Sequence, residues 1–144
     1  MLRARDHRGN PIDTDVLRAR GPVVVYFYPK DFTPGCTQEA CLFRDAFADL
    51  DGRGASLIGV SSDDDASHVR FAERYGLPFS LVSDPDHAHA KAFDAMRILG
   101  LFGARRITYV IDRDGIIRAA LHHELSMRAH VEGVERAIAE LVPR

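Results

Sequence analysis

Only two cysteines, Cys36 and Cys41, occur among the 144 residues. That is too few for a secreted disulfide scaffold, and the second pair that a zinc ribbon needs is missing. In a reducing compartment such thiols are either inert core residues or chemistry. A surplus of charge is missing too. With 19 Lys+Arg against 21 Asp+Glu, the net charge is −2, and no basic tract offers nucleic acid or an anionic membrane an electrostatic footprint. No apolar run approaches the roughly 20 residues that span a bilayer. The start, Met1-Leu2-Arg3-Ala4-Arg5-Asp6-His7, lacks a signal peptide's apolar core, so a cytoplasmic protein is expected. No Gly-x-Gly-x-x-Gly nucleotide motif occurs and no cofactor is implied.

What is present suits a globular chain. Hydrophobic residues make up 46%, and a chain of this length can bury roughly 68–70% of its unfolded surface around one core. A single domain over residues 1–144 is expected, without repeats or linkers. Val23 to Tyr28 is a continuous β-branched and aromatic run, the signature of a strand buried on both faces. Ser56 to Ser61 reads the same way, and Phe79 to Val82 is a shorter candidate. Ile107 to Ile111 and Ile116 to Leu121 flank Asp112-Arg113-Asp114-Gly115, a hairpin signal. Helical patterns fill 36–50, 65–75, 87–95 and 127–141, the last carrying Ala129, Val134, Ala137, Ile138 and Leu141 on one period. This order predicts an α/β sandwich with a mixed central sheet flanked by helices.

Ligands of such sheets sit beyond the carboxyl ends of the strands, so the turn after Tyr28 is where function is sought. There Thr33 fits a helix N-cap, Pro34 the first helical position, and Cys36 the first turn. Unpaired backbone N–H groups and the helix dipole both favour a thiolate there. Cys36, Ala40, Phe43, Phe47 and Leu50 form the core stripe of the helix. Cys41, rotated roughly 140° from Cys36, is expected toward the surface.

Pro29-x-x-x-Thr33-x-x-Cys36 is the active-site pattern of the peroxiredoxins. Phe27-Tyr28-Pro29-Lys30-Asp31 with Thr33-Pro34-Gly35-Cys36-Thr37-x-x-Ala40-Cys41-x-x-Arg44-Asp45 resembles their Q type, the bacterioferritin comigratory proteins. The resemblance continues through Gly59 to Asp63, Phe71 to Glu73, Leu81 to Asp84 and Arg106 to Asp112, and spans roughly residues 21–141. It implies a thioredoxin-like fold and reduction of hydrogen peroxide or alkyl hydroperoxides. Cys36 would be the peroxidatic thiol, Cys41 the resolving thiol, and Thr33 and Arg106 the partners of the reacting peroxide. The chain departs from the family in lacking a Gly-Asp-x-Ala-Pro-x-Phe lead-in, so no first strand or hairpin is assigned. Phe32 also stands where Asp is common, and the segment from Met96 to Gly103 is shorter and more apolar than usual.

A free thiol of pKa about 8.5 is only about 3% thiolate at pH 7, so full ionisation gains at most roughly 30-fold. A lower pKa also blunts the nucleophile. Most acceleration must therefore come from donors that stabilise charge growing on the departing oxygen: the Thr33 hydroxyl, the Cys36 N–H and a guanidinium. Arg105 and Arg106 are equivalent by spacing, and the family pattern favours Arg106. The sulfenic acid formed on Cys36 would condense with a second thiol, and turnover would then require an external dithiol such as thioredoxin or glutaredoxin. The chain would be a monomer or a weak homodimer.

Other features have plainer accounts. Asp63-Asp64-Asp65 is expected to cap the next helix rather than bind a cation, and Asp112-Arg113-Asp114-Gly115 to form a turn rather than a calcium loop. His87, His89, His122 and His123 lack metal-ligand spacing. Glu39 either tunes the site or complements the helix dipole. Two rival functions are a thioredoxin-type disulfide reductase, which wants Cys-x-x-Cys where four residues here intervene, and a non-enzymatic module with structural cysteines.

Overall fold

The structure, a computed structural model, describes residues 2–93 and 106–142. A hairpin of β1 (Arg3–Arg5) and β2 (Pro11–Asp13) leads into the short α1 (Thr14–Leu17). Then follow β3 (Val23–Phe27), α2 (Pro34–Gly52), β4 (Ser56–Ser61), α3 (Asp65–Tyr75), β5 (Ser80–Ser83) and α4 (Ala88–Ala92). The chain closes with β6 (Ile107–Ile111), β7 (Ile117–His122) and α5 (Met127–Leu141). Five strands form one sheet in the order β5-β4-β3-β6-β7. β3, β4 and β5 run parallel, while β6 is antiparallel to β3 and β7 to β6. The expected mixed, thioredoxin-like sheet is therefore the one observed.

β3 lies at the centre of the sheet and is buried along its whole length, which is why its sequence is uninterruptedly apolar. Its side chains alternate between two cores. Val24, Tyr26 and Tyr28 pack with Ala40 and Phe43 of α2, Phe71 of α3 and Val134 and Ile138 of α5. Val23, Val25 and Phe27 pack with Leu2, Ile12, Ala90 and Tyr109. The first of these cores fixes α2, and so the position of its N-terminal turn relative to the sheet.

Several boundaries and one element differ from expectation. The first hairpin, for which no lead-in signal exists, is present because Leu2 and Ile12 bury against the sheet and Thr14 Oγ1 accepts from Leu2 N at 3.0 Å. α4 is a helix over Ala88–Ala92, shorter than the expected 87–95, and residues 94–95 and the Met96–Gly103 segment lie outside the described residues. β3 ends at Phe27, one residue early, and the fifth strand is Ser80–Ser83 rather than Phe79–Val82. On α5 the buried face runs through Met127, His130, Val131, Val134 and Ile138, shifted from the expected stripe. Asp64 caps α3 by accepting from Ser67 N at 2.8 Å, and Asp112 closes the β6–β7 turn by accepting from the N–H groups of Asp114 and Ile116.

Gly59 on β4 illustrates how closely the first core is filled. A Cβ there would lie 2.9 Å from both Leu81 Cδ2 and the Tyr26 phenol. Gly59→Ala should therefore destabilise the fold by roughly 1–3 kcal/mol through overpacking. A lowered urea midpoint with unchanged slope would register it.

Candidate active site

The turn from β3 into α2 is built as its residues suggest, with one difference. Thr33 is the N-cap residue, extended at φ −73° and ψ 151°, and Pro34 opens the helix. The Thr33 hydroxyl does not cap it. It donates instead to Lys30 O at 2.9 Å, pinning the loop on itself and leaving the first N–H groups of α2 without that side-chain partner. Phe32 holds φ 66°, a strained value for a bulky residue, and its exposed ring packs on Phe71 and Tyr75. Pro29, half-buried, begins the loop.

Asp31 anchors this loop from below. Its carboxylate accepts from Tyr28 OH at 2.6 Å, His68 Nδ1 at 2.7 Å and Ser67 Oγ at 2.9 Å. Its N–H donates to Asp63 Oδ2 at 2.7 Å. Asp31, Asp63 and His68 bring ligand-type atoms within 4.8 Å of one another. Their facing atoms are already engaged in these bonds, so the cluster is a knot tying the loop to α3 and β4. Asp63 has this role, and not the capping role expected of the Asp63–Asp65 run.

Cys36 sits in the first turn of α2 and is buried, at 1% exposure. Its Sγ lies 3.2 Å from Arg106 Nη2. Arg106 immediately precedes β6, the antiparallel neighbour of β3, which brings residues 36 and 106 together. Gly35 leaves room for the approach, since a Cβ there would crowd Arg106 Nη2 at 3.2 Å. Arg105, the other candidate by spacing, is outside the described residues. Cys41 lies on the same helix, half-buried and turned off the core stripe as expected, and both thiols are free.

Glu39, whose role the sequence left open, proves to be inside the site. Three residues after Cys36 it shares that residue's face of α2, is fully buried, and accepts from Arg106 Nη1 at 2.9 Å. Burial pushes its carboxyl up to about 7; the facing Arg106 opposes the rise and Glu124 adds to it. Burial disfavours charge on Arg106 as well, but Glu39 and Cys36 against it outweigh this and hold its pKa above the ordinary value. The other carboxylate oxygen, Glu39 Oε2, lies 3.7 Å from His130 Nδ1 and has no hydrogen-bond partner.

His130, which sequence reasoning missed, is wholly buried on α5. Its Nε2 lies 2.7 Å from His123 O, an acceptor, so Nε2 carries the proton. Burial drives its pKa down to about 4. The neutral ring's Nδ1 then accepts from the Thr108 hydroxyl at 2.8 Å. Between pH 4 and 7 the pair thus holds its proton on Glu39 and is not an ion pair. The signal for Glu39 was its one-turn offset from Cys36; for His130 it was the offset of three or four from Met127 and Val134.

A thiol at a helix start, under a buried guanidinium and on a thioredoxin-like sheet, is the arrangement of a thiol-dependent peroxidase. The thiolate attacks one peroxide oxygen, and the guanidinium and backbone N–H groups stabilise charge on the other. Residues 2–120 match the AhpC/TSA family. The chain is 36% identical over 139 residues to chloroplastic peroxiredoxin Q of Sedum lineare, covering 95% of this chain and 73% of that protein. It is 40% identical over 129 residues to that of Oryza sativa subsp. japonica, covering 88% and 58%. The chain thus spans about three-fifths to three-quarters of these plant relatives. Among solved structures it is similar to peroxidoxin BcpB of Mycobacterium tuberculosis, with 38% identity, TM-score 0.85 and coverage of 97% and 90%. It is also similar to the bacterioferritin comigratory protein of Xanthomonas campestris, with 31% identity, TM-score 0.87 and coverage of 96% and 90%. The chain belongs to the AhpC/TSA family of thiol-dependent peroxidases, in its peroxiredoxin Q group.

Two expectations follow from this geometry. Arg106→Ala should slow the reaction of reduced protein with hydrogen peroxide by well over the roughly 30-fold that ionisation alone can supply. Stopped-flow rates compared with the thiolate fraction, read from its ultraviolet absorbance, would test this; a smaller loss fully matched by lost thiolate would contradict it. The second concerns stability. Folding raises the Glu39 pKa from 4.5 to about 7, so its contribution is present below pH 4.5 and is lost as pH rises toward 7. His130 works oppositely, its contribution being lost as pH falls from 6.5 toward 4. Glu39→Gln should therefore gain stability relative to the native chain between pH 4.5 and 7, by at most about 3 kcal/mol, in urea titrations at stepped pH.

Proposed function

We propose that this chain, as one peroxiredoxin domain over residues 1–144, reduces hydrogen peroxide and alkyl hydroperoxides with Cys36 as attacking thiol and Cys41 as resolving thiol. The observation that carries the reading is the 3.2 Å contact between Arg106 Nη2 and Cys36 Sγ inside the first turn of α2. The thiolate sulfur displaces an alkoxide or hydroxide and becomes a sulfenic acid, and the Cys41 thiol then attacks it, releasing water and forming a disulfide. A thioredoxin or glutaredoxin returns both sulfurs to thiols. Arg106 stabilises the departing oxygen. Thr33 and Pro29 shape the loop over the sulfur; the Thr33 hydroxyl, now bonded to Lys30 O, is close enough in sequence to turn toward a bound peroxide. Use of two free thiols fits a reducing compartment, here the cytoplasm, and a monomer or weak homodimer.

Resolution carries a geometric condition. Both cysteines belong to α2, and in an intact helix residues five apart have Cα atoms roughly 8.7 Å apart, against the about 4.4–6.8 Å of a disulfide. The N-terminal turns must therefore unwind in each cycle. Ala40 and Phe43 are held by Tyr26 and its neighbours, so unwinding stops near them and costs a local opening rather than global unfolding. Amides of about 37–42 should exchange hydrogen much faster in the oxidised protein, with those beyond Phe47 little changed; equal protection in both redox states would contradict the unwinding step.

One equivalent of hydrogen peroxide added to reduced protein should remove two thiols and yield an intramolecular disulfide. Cys36→Ser should abolish peroxide consumption, and Cys41→Ser should react once and accumulate sulfenic acid. Full thioredoxin-dependent turnover by Cys41→Ser would remove Cys41 from the resolving role. Insulin reduction without peroxide consumption would instead point to a disulfide reductase.

A further inference from the structure

One guanidinium here faces two acids. Arg106 Nη2 lies 3.2 Å from Cys36 Sγ and Nη1 2.9 Å from Glu39 Oε1, and both acids are shut off from water. With one of them ionised, the buried cluster is neutral. With both, it holds an uncompensated negative charge in a low-dielectric interior, which burial strongly opposes.

Among the described residues, the other groups facing Glu39 add no positive charge to balance a second anion. Tyr26 of β3 presents a neutral phenol, its pKa raised by burial and by the neighbouring Glu39 and Cys36. His130 of α5 is held neutral with Nε2–H on the His123 carbonyl. Thr108 of β6 presents a hydroxyl to His130, and Glu124, whose Oε1 accepts from Arg106 N at 3.2 Å, brings further negative charge. The buried Glu39 Oε2 meets no donor. A bare carboxylate oxygen is costly in such a place, and a protonated carboxyl far less so.

We propose that Cys36 and Glu39 carry the single negative charge opposite Arg106 in turn: Glu39 keeps its proton while Cys36 is thiolate, and releases it as peroxide consumes that thiolate. The inference rests on Cys36 being the attacking thiol. In the step, the sulfur lone pair forms an S–O bond and the O–O bond breaks. Sulfur is oxidised by two electrons, and the peroxide is reduced to a sulfenic hydroxyl and an alkoxide or hydroxide. That leaving oxygen takes up one proton. Sulfenic acid is neutral, so Arg106 is left facing one acid, and Glu39 ionises to restore neutrality. The proton released balances the proton taken up. Glu39 acts through Arg106, whose Nη1 it accepts from at 2.9 Å, as a positioning residue that also stores the proton.

Cys41→Ser protein, which stops at the sulfenic acid, isolates the step. Mixing it just below neutral pH with one equivalent of hydrogen peroxide in weak buffer containing a pH indicator reads proton uptake, and a sulfenic-acid probe reads the chemistry. With Glu39 intact, net uptake should be close to zero. With Glu39→Gln added, about one proton per sulfenic acid should be drawn from solution. Infrared difference spectra of the Glu39-intact protein supply an independent readout: the buried protonated-carboxyl band should vanish on peroxide addition, which decides the matter even if the Gln variant folds poorly. Equal proton uptake in the two proteins, or an unchanged carboxyl band, would overturn the proposal. Failure to form any sulfenic acid would instead overturn the reading of Cys36, and this inference with it.

Discussion

Everything about this site turns on the burial of Arg106 between Cys36 and Glu39. A guanidinium cannot shed its charge, so placing it at the carboxyl end of the sheet obliges the surroundings to supply an anion. Glu39 and the Cys36 sulfur are what the fold offers, at 2.9 and 3.2 Å. The cost of burying the cation is thereby offset, and the guanidinium is held against the Cys36 sulfur.

The rest of the structure keeps that geometry while leaving one part of it able to open. β3 is paired on both sides and buried on both faces, so it holds Arg106 through β6 and the start of α2 through Tyr28 and the loop. The knot around Asp31 ties that loop to α3 and β4. The first turns of α2 are different. They carry a half-buried Thr37 and an exposed Gln38, and their buried members, Cys36 and Glu39, are held by contacts to Arg106. A helix start of this kind can serve as a two-state element, folded to activate a thiolate and unwound to bring two thiols together.

The mixed sheet and the placement of Cys36 in the first turn of a helix were legible because each rests on local chemistry, whereas Arg106 was separated from Arg105 only by the family pattern. A run such as Val23 to Tyr28 has few alternatives to a central strand, and Thr33-Pro34-Gly35-Cys36 encodes an N-cap, a first helical turn and a close backbone approach in four consecutive residues. Where local rules met tertiary contacts they failed in understandable ways. Thr33 has an N-capping hydroxyl, yet Lys30 O competes for it successfully. The β1–β2 hairpin carries little strand signal of its own and exists because Leu2 and Ile12 find an apolar sheet face to cover.

Sequence alone determined the fold class, the family and the position of Cys36 at a helix start, since periodicity, turn chemistry and a dense local motif are all properties of neighbouring residues. Only the tertiary structure decided what Glu39 and His130 are. On their own helices they read as an acid near a dipole and an unremarked histidine. Their protonation is set by burial and by an arginine 67 residues along the chain from Glu39, and desolvation depends on packing from every side, which no local pattern records.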